Sequence, residues 1–354
     1  MNDVSLYLNP FASALLISSF FILVFISISN IFGINGERKK KEKGVHLKGV
    51  SRFGGVAIIL AFLIAILVDS NLVITQQIWG IIIASILILF VGVADDYFDL
   101  DWKIQFFFQV CMAVIVFIAG AQMEYVQGYL EWLLVFNING SLILGVFLGI
   151  GWVVFLINAM NWLDGVDGLS GGVGLIAAIS VFALSLKPEV NQPPIAVMMM
   201  SLSGALLGFL IFNFYPARII AGTSGSFFMG FILAAVSMIA GTKIATTLII
   251  LSISVMDVFG VVYQRLKTGD SIFKGDKRHL HYRLLNAGWS HGMINMFFYG
   301  MTVLVAVVAL NVGAQGKILA IGIIFALVMA ITVFLNNKDK KNEKNNKYRK
   351  YSEA

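Results

Sequence analysis

Charged residues are scarce in this sequence of 354 residues: only 12% are Asp, Glu, Lys or Arg, while 59% are hydrophobic. About a quarter of the residues of an average soluble domain are charged, so this composition excludes a soluble globular protein. Cys111 is the single cysteine, which excludes an intramolecular disulfide. The phosphate-binding sequence Gly-Lys-Ser/Thr is absent, so ATP hydrolysis is not expected.

Long hydrophobic runs, in contrast, recur from one end of the chain to the other. A helix needs about 20 apolar residues to cross the ~30 Å hydrocarbon core of a bilayer. We therefore predict an all-α, polytopic integral membrane bundle with eleven transmembrane helices, or ten if one of the shorter runs is re-entrant. The predicted spans are residues 11–34, 53–70, 77–94, 103–119, 141–157, 169–186, 195–213, 226–240, 244–263, 293–313 and 317–335.

Lysine and arginine are unevenly distributed between the predicted loops. If the loop at 36–52, which contains seven of them, faces the cytoplasm, then alternation places 22 of the 25 on that side. This agreement with the positive-inside rule predicts an N-terminus outside and a C-terminus in the cytoplasm. The first run has no basic segment before it and no small-residue cleavage site after it, so we expect it to be retained as a span.

The same patterns predict the domain organisation. Residues 1–335 form a single transmembrane domain whose functional site is built from cytoplasmic loops. Residues 336–354 are basic and rich in Lys and Asn, a composition typical of disorder. Positive charge beside a membrane is attracted to anionic lipid, so this tail is predicted to be a disordered cytoplasmic segment.

The first polar motif, Asp95-Asp96-x-x-Asp99 with Asp101, closes the third predicted span. Adjacent carboxylates repel one another, so their presence at a membrane edge indicates a divalent cation or a phosphate-bound Mg²⁺ that neutralises them. The alternative is a solvated acidic turn.

The second motif runs from Asn158 to Gly172 and combines Asn158, Asn161, Asp164 and Asp167 with glycines. Ionisable groups near the hydrocarbon boundary are costly and usually mark a substrate or ion site. Spacings of three at a helix end place side chains on one face, so we expect these four to point together at the first acidic motif. A helix cap followed by a glycine-rich turn is the alternative, although a cap explains only one of the four polar groups.

The third motif is Lys277-Arg278-His279-Leu-His281-Tyr-Arg283, in the longest predicted cytoplasmic loop. Two histidines and an arginine at alternate positions supply donors for phosphate oxygens, and histidine also exchanges protons near neutral pH. A basic loop that only sets topology would account for the Lys and Arg but not for the paired His. The basic loop at 36–55 is left open between diphosphate binding and topology.

Together these loops supply acids and amides for a metal, and cations for phosphates, on one face of a membrane body. Phosphoryl transfer depends mainly on positioning and on charge stabilisation of this kind. A transporter or flippase of lipid-linked sugars is the competing class, but it predicts charges near the midplane of the spans. Asp257 is the only acid well inside a predicted span.

In order, spacing and predicted membrane side, the three motifs resemble those of the polyprenyl-phosphate N-acetylhexosamine-1-phosphate transferases of glycosyltransferase family 4. The resemblance covers roughly residues 36–290 and rests on Asp95-Asp96-x-x-Asp99, Asn158-x-x-Asn161-x-x-Asp164-Gly-x-Asp167-Gly-Leu and His279-x-His281-x-Arg283. The form His-x-His-x-Arg is more similar to the branch that uses UDP-N-acetylglucosamine than to the translocase of peptidoglycan precursors.

The resemblance implies transfer of a sugar 1-phosphate, expected to be N-acetylglucosamine 1-phosphate, from a UDP-sugar to undecaprenyl phosphate, with release of UMP. The product would be the first lipid-linked intermediate of a cell-envelope polysaccharide. The implied cofactor is Mg²⁺, with Mn²⁺ as the alternative, and the implied location is the inner (cytoplasmic) membrane with the site facing the cytoplasm. The expected partners are the UDP-sugar, undecaprenyl phosphate and the bilayer; no nucleic acid is expected, and a homodimer is left open.

Individual roles are carried over position by position. Asp95, beside Asp96, would orient or deprotonate the lipid phosphate, and Asn161 would help to hold Mg²⁺ on the diphosphate. The candidate catalytic residues are Asp95, Asp96, His279 and His281; the candidate substrate-binding residues are Lys48, Asn158, Asp164, Asp167 and Arg283; the candidate metal ligands are Asn161, Asp96 and Asp167.

The chain departs from the family pattern at one position. Where the family usually has Gly-Asp-x-Gly-Ser, with the Asp as a Mg²⁺ ligand, this sequence has Gly222-Thr223-Ser-Gly-Ser226. A neutral hydroxyl is a weaker Mg²⁺ ligand than a carboxylate. We expect activity to be retained with the metal shifted toward the remaining acids; the alternative is a catalytically impaired homologue that acts as a scaffold.

Overall fold

The computed structural model describes residues 3–32, 50–121, 142–239, 244–270, 278–313 and part of 316–331. Within these residues the regular structure is helical, apart from one isolated parallel β-bridge. The helices in chain order are α1 (Asp3–Phe32), α2 (Gly54–Val68), α3 (Gln76–Phe98), α4 (Trp102–Ile118), α5 (Leu142–Leu163), α6 (Leu169–Ser185), α7 (Pro193–Asn213), α8 (Gly222–Ile239), α9 (Ile244–Ile250), α10 (Ser252–Thr268), α11 (Leu280–Asn286) and α12 (His291–Asn311).

The predicted all-α membrane bundle is confirmed, and each of the first ten predicted spans coincides with an apolar helix or helix pair. Within the described residues six helices are long and apolar enough to cross a bilayer, and the bent pair α9 and α10 makes a seventh. Helices α2, α4 and α6 have 15 to 17 residues, which at 1.5 Å per residue is about 23–26 Å, less than the ~30 Å core. The described residues of 316–331 are helical, but the rest of the eleventh predicted span and the tail at 336–354 lie outside the described residues.

The run at 244–263 was wrongly predicted as one continuous helix. The structure divides it at Leu251 into α9 and α10, which are bent by 76° relative to each other. Neither proline nor glycine lies at the break, so the sequence carries no signal for it. Helix α10 then continues past the predicted end to Thr268 and stops at Gly269, whose φ of 72° suits a glycine.

Helix α8 lies at the centre of the bundle, where small residues allow α2 and α3 to approach its first turn. A Cβ at Gly55 would lie 2.0 Å from the backbone nitrogen of Gly225, and a Cβ at Gly92 would lie 2.3 Å from the Cα of Ser224. Small residues are the usual means by which membrane helices come into backbone contact. The approach places the end of α3 beside the beginning of α8.

A short stretch of backbone pairing joins the entry of α2 to the entry of α8. Ser51 and Ile219 form the parallel bridge, and the Gly54 backbone nitrogen donates to the Ile220 carbonyl oxygen at 3.1 Å. These bonds satisfy backbone groups at two helix starts that would otherwise lack partners. They also bring Arg52 to the acidic end of α3.

Candidate active site

The paired acids of the first motif lie at the end of α3, against the first turn of α8. The backbone nitrogen of Thr223 donates to both oxygens of Asp96, at 3.2 and 3.1 Å, and its hydroxyl donates to Asp95 Oδ2 at 2.6 Å. A helix start offers free N–H groups and a partial positive charge, both of which favour a carboxylate. The departure from the family pattern therefore sits at the centre of the site.

Two further side chains fix this acidic pair. Arg52 donates from Nη1 to the Asp96 carbonyl oxygen at 2.8 Å, and the same nitrogen is 3.9 Å from Asp96 Oδ1. Gln105 on α4 donates to Asp95 Oδ1 at 2.8 Å. Reasoning from the sequence assigned neither residue to the acidic pair: Arg52 stood in a basic loop left open between diphosphate binding and topology, and Gln105 carries no signal of its own.

The end of α5 supplies the other side of the site. The Ser226 hydroxyl in α8 lies 2.8 Å from Asn161 Oδ1 and 3.0 Å from the Gly222 carbonyl oxygen, so its single proton is shared between these two acceptors. The Asp164 carboxylate accepts from the Ser170 hydroxyl at 2.5 Å and repels that of Asp96 electrostatically. Asn161 and Asp164 are thus brought to the acidic pair, as the sequence predicted.

The expectation that Asn158 and Asp167 share this direction is wrong. Asn158 donates to Gln109 Oε1 on α4 at 2.7 Å and to the Val154 carbonyl oxygen at 2.8 Å, so its amide hydrogens are used one turn inside α5. Helix α5 ends at Leu163, so the spacing of three no longer places Asp167 on the same face. Its Oδ2 accepts instead from the Ala217 backbone nitrogen at 3.1 Å.

The glycine-rich turn after Asp164 is held by buried polar groups of α7 and α12. Gly168, with φ of 83°, donates its N–H to Asn213 Oδ1 at 2.9 Å. Asn295 donates to the Asp167 carbonyl oxygen at 2.8 Å, and the Tyr299 hydroxyl donates to that of Gly168. These bonds fix the turn that presents Asp164.

The histidine motif forms the start of α11 and packs against the same turn. The ring of His279 lies 5.8 Å from that of Trp162 and 5.8 Å from that of His281, measured between centroids. A Cβ at Gly165 would lie 2.3 Å from His281 Nε2. Burial lowers the pKa of the His281 imidazole from 6.5 to about 3, so this ring is neutral at physiological pH.

Arg283 and Lys48 complete the predicted site residues. Arg283 is buried and donates from Nε to the Arg278 carbonyl oxygen at 2.5 Å and from Nη2 to Gln264 Oε1. These bonds tie α11 to the end of α10. Lys48 lies outside the described residues.

Among the described residues, no group of three or more His, Cys, Asp or Glu side chains is arranged to hold a metal ion. The oxygens that could do so in part belong to Asp95, Asp96, Asn161 and Asp164. Mg²⁺ prefers oxygen ligands and is commonly bound by one or two carboxylates together with substrate phosphates and water. This donor set fits a Mg²⁺ that is shared with a diphosphate, and it does not form a closed protein cage.

A polytopic helical bundle with carboxylates, amides and histidines gathered at one end of its helices defines a membrane-embedded phosphosugar transferase. The model of the family described as "Glycosyl transferase family 4" matches residues 78–241. Because a relative also matches at 30% identity over 73% of the chain, the chain belongs to this family.

Relatives from three bacterial species have names that describe phosphosugar transfer. The chain is 27% identical over 323 residues, 88% of its length and 86% of the relative's, to a Bacillus subtilis protein named "Probable undecaprenyl-phosphate N-acetylglucosaminyl 1-phosphate transferase". It is 30% identical over 291 residues, 73% of its length and 71% of the relative's, to a decaprenyl-phosphate N-acetylglucosaminephosphotransferase of Mycobacterium tuberculosis. A phospho-N-acetylmuramoyl-pentapeptide-transferase of Listeria monocytogenes is 28% identical over 331 residues, 87% of this chain and 99% of the relative.

Proposed function

We propose that this enzyme transfers N-acetylglucosamine 1-phosphate from its UDP-sugar to undecaprenyl phosphate in the cytoplasmic membrane, with the site facing the cytoplasm. An oxygen of the lipid phosphate attacks the phosphorus that bears the sugar. The bond from this phosphorus to the bridging oxygen breaks, and UMP leaves with that oxygen. The product is a lipid-linked diphosphosugar, the first intermediate of a cell-envelope polysaccharide.

The observation that carries this proposal is the meeting of the α3 acids with the end of α5. Asp95 and Asp96 lie on one side, and Asn161 and Asp164 lie on the other, linked through the first turn of α8. Carboxylate oxygens and a diphosphate repel each other unless a divalent cation neutralises both groups. The arrangement of these oxygens therefore favours a diphosphate that is bound together with a divalent cation. The names of the relatives supply the sugar and the lipid phosphate.

Each group then has a distinct task. Asp95 orients the attacking lipid phosphate and accepts its proton, while Asp96 and Asn161 hold Mg²⁺, with Mn²⁺ as the alternative; when bound, the metal neutralises the phosphate charges. Asp164 and Lys48 contact the nucleotide sugar, and His279 contacts its phosphates. The buried Asp167, His281 and Arg283 hold the glycine-rich turn and α11 in place around them. Thr223 keeps the carboxylate of Asp95 in place.

The test is product analysis with purified protein in lipid nanodiscs. The protein is incubated with undecaprenyl phosphate, Mg²⁺ or Mn²⁺ and a panel of UDP-sugars, and UMP and the lipid product are identified by mass spectrometry. We expect UMP and a lipid-linked diphosphosugar from UDP-N-acetylglucosamine, and no product from Asp96→Asn. Absence of UMP with every sugar and both metals would refute the proposal.

Thr223 favours one second candidate, a catalytically impaired homologue that scaffolds other envelope enzymes, because a hydroxyl is a weak Mg²⁺ ligand. The transporter class is less well supported. It predicts charges near the midplane of the spans, whereas Asp257 is the only acid well inside a predicted span, and its carboxylate is hydrogen-bonded to the histidine motif.

A further inference from the structure

Asp257 is a buried acid on α10 that none of the motifs includes. Its Oδ2 is 2.9 Å from His279 Nδ1, and its Oδ1 accepts from the Leu280 backbone nitrogen at 2.8 Å. Both side chains are nearly inaccessible, with 8% of Asp257 and 5% of His279 exposed. One carboxylate thus engages two consecutive residues at the start of α11.

These two hydrogen bonds compensate for the cost of burying the Asp257 carboxylate within α10. An acid inside an apolar membrane segment is costly unless its oxygens have hydrogen-bond donors. Here the donors are a helix-start N–H and an imidazole, both of which belong to the short helix that carries the histidines. The carboxylate therefore fixes the position of α11 and the orientation of the His279 ring together.

We propose that Asp257 is the positioning residue for His279: it holds Nδ1 in the protonated form and leaves Nε2 to face the phosphates of the bound nucleotide sugar. An ionised carboxylate only accepts hydrogen bonds, so the nitrogen that contacts it must be a donor. A fixed hydrogen bond on one ring nitrogen determines the function of the other. This proposal rests on the proposed function for the identity of the phosphates, but not for the tautomer.

The surroundings of the His279 ring support the proposal that its Nε2 faces the phosphates. His279 lies between Trp162 and His281, with centroid distances of 5.8 Å to each. Trp162 directly follows Asn161 at the end of α5. The ring is therefore beside the part of the site assigned to the diphosphate, and a rotation about its Cα–Cβ bond is opposed by the two flanking rings.

The first measurement is the tautomer in the unaltered protein. The chain has four histidines, so selective ¹⁵N-histidine labelling in nanodiscs gives a spectrum in which His279 is assigned by comparison with His279→Gln. We expect a protonated Nδ1 on His279. An Nδ1 without a proton would overturn the proposal, and this result needs no variant of Asp257.

The second measurement uses Asp257→Asn. The amide oxygen can still accept from Leu280, but the amide nitrogen can meet Nδ1 only as a donor, so the tautomer should reverse. We expect kcat to fall roughly 100-fold with a much smaller change in KM for the UDP-sugar. Asp270→Asn, at an exposed acid paired with Arg278, is the matched control and should leave both values unchanged.

The outcomes separate the two proposals. A reversed tautomer in Asp257→Asn combined with no UMP release by the unaltered protein would support the positioning role and refute the proposed function. An unchanged tautomer with kcat within threefold would refute the positioning role alone. In the His279→Gln background, Asp257→Asn should have little further effect, because the two residues act as one unit.

Discussion

The hydroxyl of Thr223 donates a hydrogen bond to Asp95 Oδ2 over 2.6 Å, while the backbone nitrogen of the same residue donates to Asp96. The position where the family has an acid therefore acts in this chain as a donor to the acidic pair. A carboxylate there would be an acceptor facing two other acceptors. With Thr223, the acidic pair has a hydrogen-bond donor even when no cation is bound. With a carboxylate at this position, the three acids would need a cation to offset their repulsion.

Thr223→Asp should make the protein dependent on divalent cations for stability. Without metal, the added carboxylate repels Asp95, so the melting temperature should fall. With Mg²⁺, the extra ligand should lower the half-saturating concentration about tenfold, equivalent to ~1.4 kcal/mol. Melting curves across a Mg²⁺ titration measure both effects, with Thr223→Ser as the control that keeps the hydroxyl.

The turnover of Thr223→Asp distinguishes two possibilities for the natural enzyme: impaired catalysis at this position, or a metal site rearranged around the hydroxyl. A large gain in UMP release would show that the natural enzyme is impaired at this position. A loss would show that its metal site has been rearranged around the hydroxyl. Metal affinity that is unchanged by the substitution would contradict any contact between position 223 and the cation.

Ser170→Ala should weaken catalysis by releasing Asp164. The Ser170 hydroxyl donates to Asp164 Oδ1 at 2.5 Å, and a hydrogen bond to a charged group contributes about 1.5–3 kcal/mol. We expect kcat/KM to fall by about 10- to 100-fold in the UMP-release assay. Ser203→Ala is a matched control, because its hydroxyl bonds only to the Met199 carbonyl oxygen within α7; equal losses in the two variants would exclude a specific role for Ser170.

Gly165→Ala should displace the histidine motif. The new Cβ would lie 2.3 Å from His281 Nε2 and 2.8 Å from the Tyr282 hydroxyl, so one of these side chains or the turn must move. Overpacking of this kind costs about 1–3 kcal/mol. We expect activity to fall by a corresponding factor of about 5 to 150. Gly260→Ala, which meets nothing within 4 Å on α10, should retain activity. Full activity in Gly165→Ala would show that α11 can shift without consequence.

His281 should make the folded state less stable in acid. Its pKa is about 3 when folded and 6.5 as an unperturbed group, so between these values the unfolded chain binds a proton that the folded chain excludes. Stability therefore falls as pH drops from 6.5 toward 3, by at most about 1.4 kcal/mol per pH unit. Melting temperatures of His281→Gln should decline less steeply over this interval; parallel curves would contradict the assignment.

The bundle itself could be predicted because hydrophobic runs report the length of membrane helices. The break at Leu251 could not, because no proline or glycine marks it in the sequence. Hydrophobicity also did not predict the length of each helix, because α2, α4 and α6 lie in apolar runs but have only 15 to 17 residues.

The site was predicted in its acids but not in their partners. Acidic and amide side chains are unusual at a membrane edge wherever they point. The sequence alone therefore marks Asp95, Asp96, Asn161 and Asp164. Donors such as Arg52, Gln105, Ser170 and Ser226 are ordinary residues whose role depends on helices that approach each other in space. Asp257 was marked by its burial in an apolar run, but only the contact with His279 shows its purpose.

The parallel bridge between Ser51 and Ile219 also has a consequence for the order in which the protein is made. Chains are synthesised from the N-terminus, and domains assemble as their parts emerge. Ser51 and Arg52 are made early, but Ile219, which pairs with Ser51, follows α7, and α11 comes later still. The acids of α3 therefore gain Arg52 and Gln105 as partners early but lack Thr223 until α8 is made. A ribosome stalled before α8 should carry an inserted bundle in which the site is incomplete.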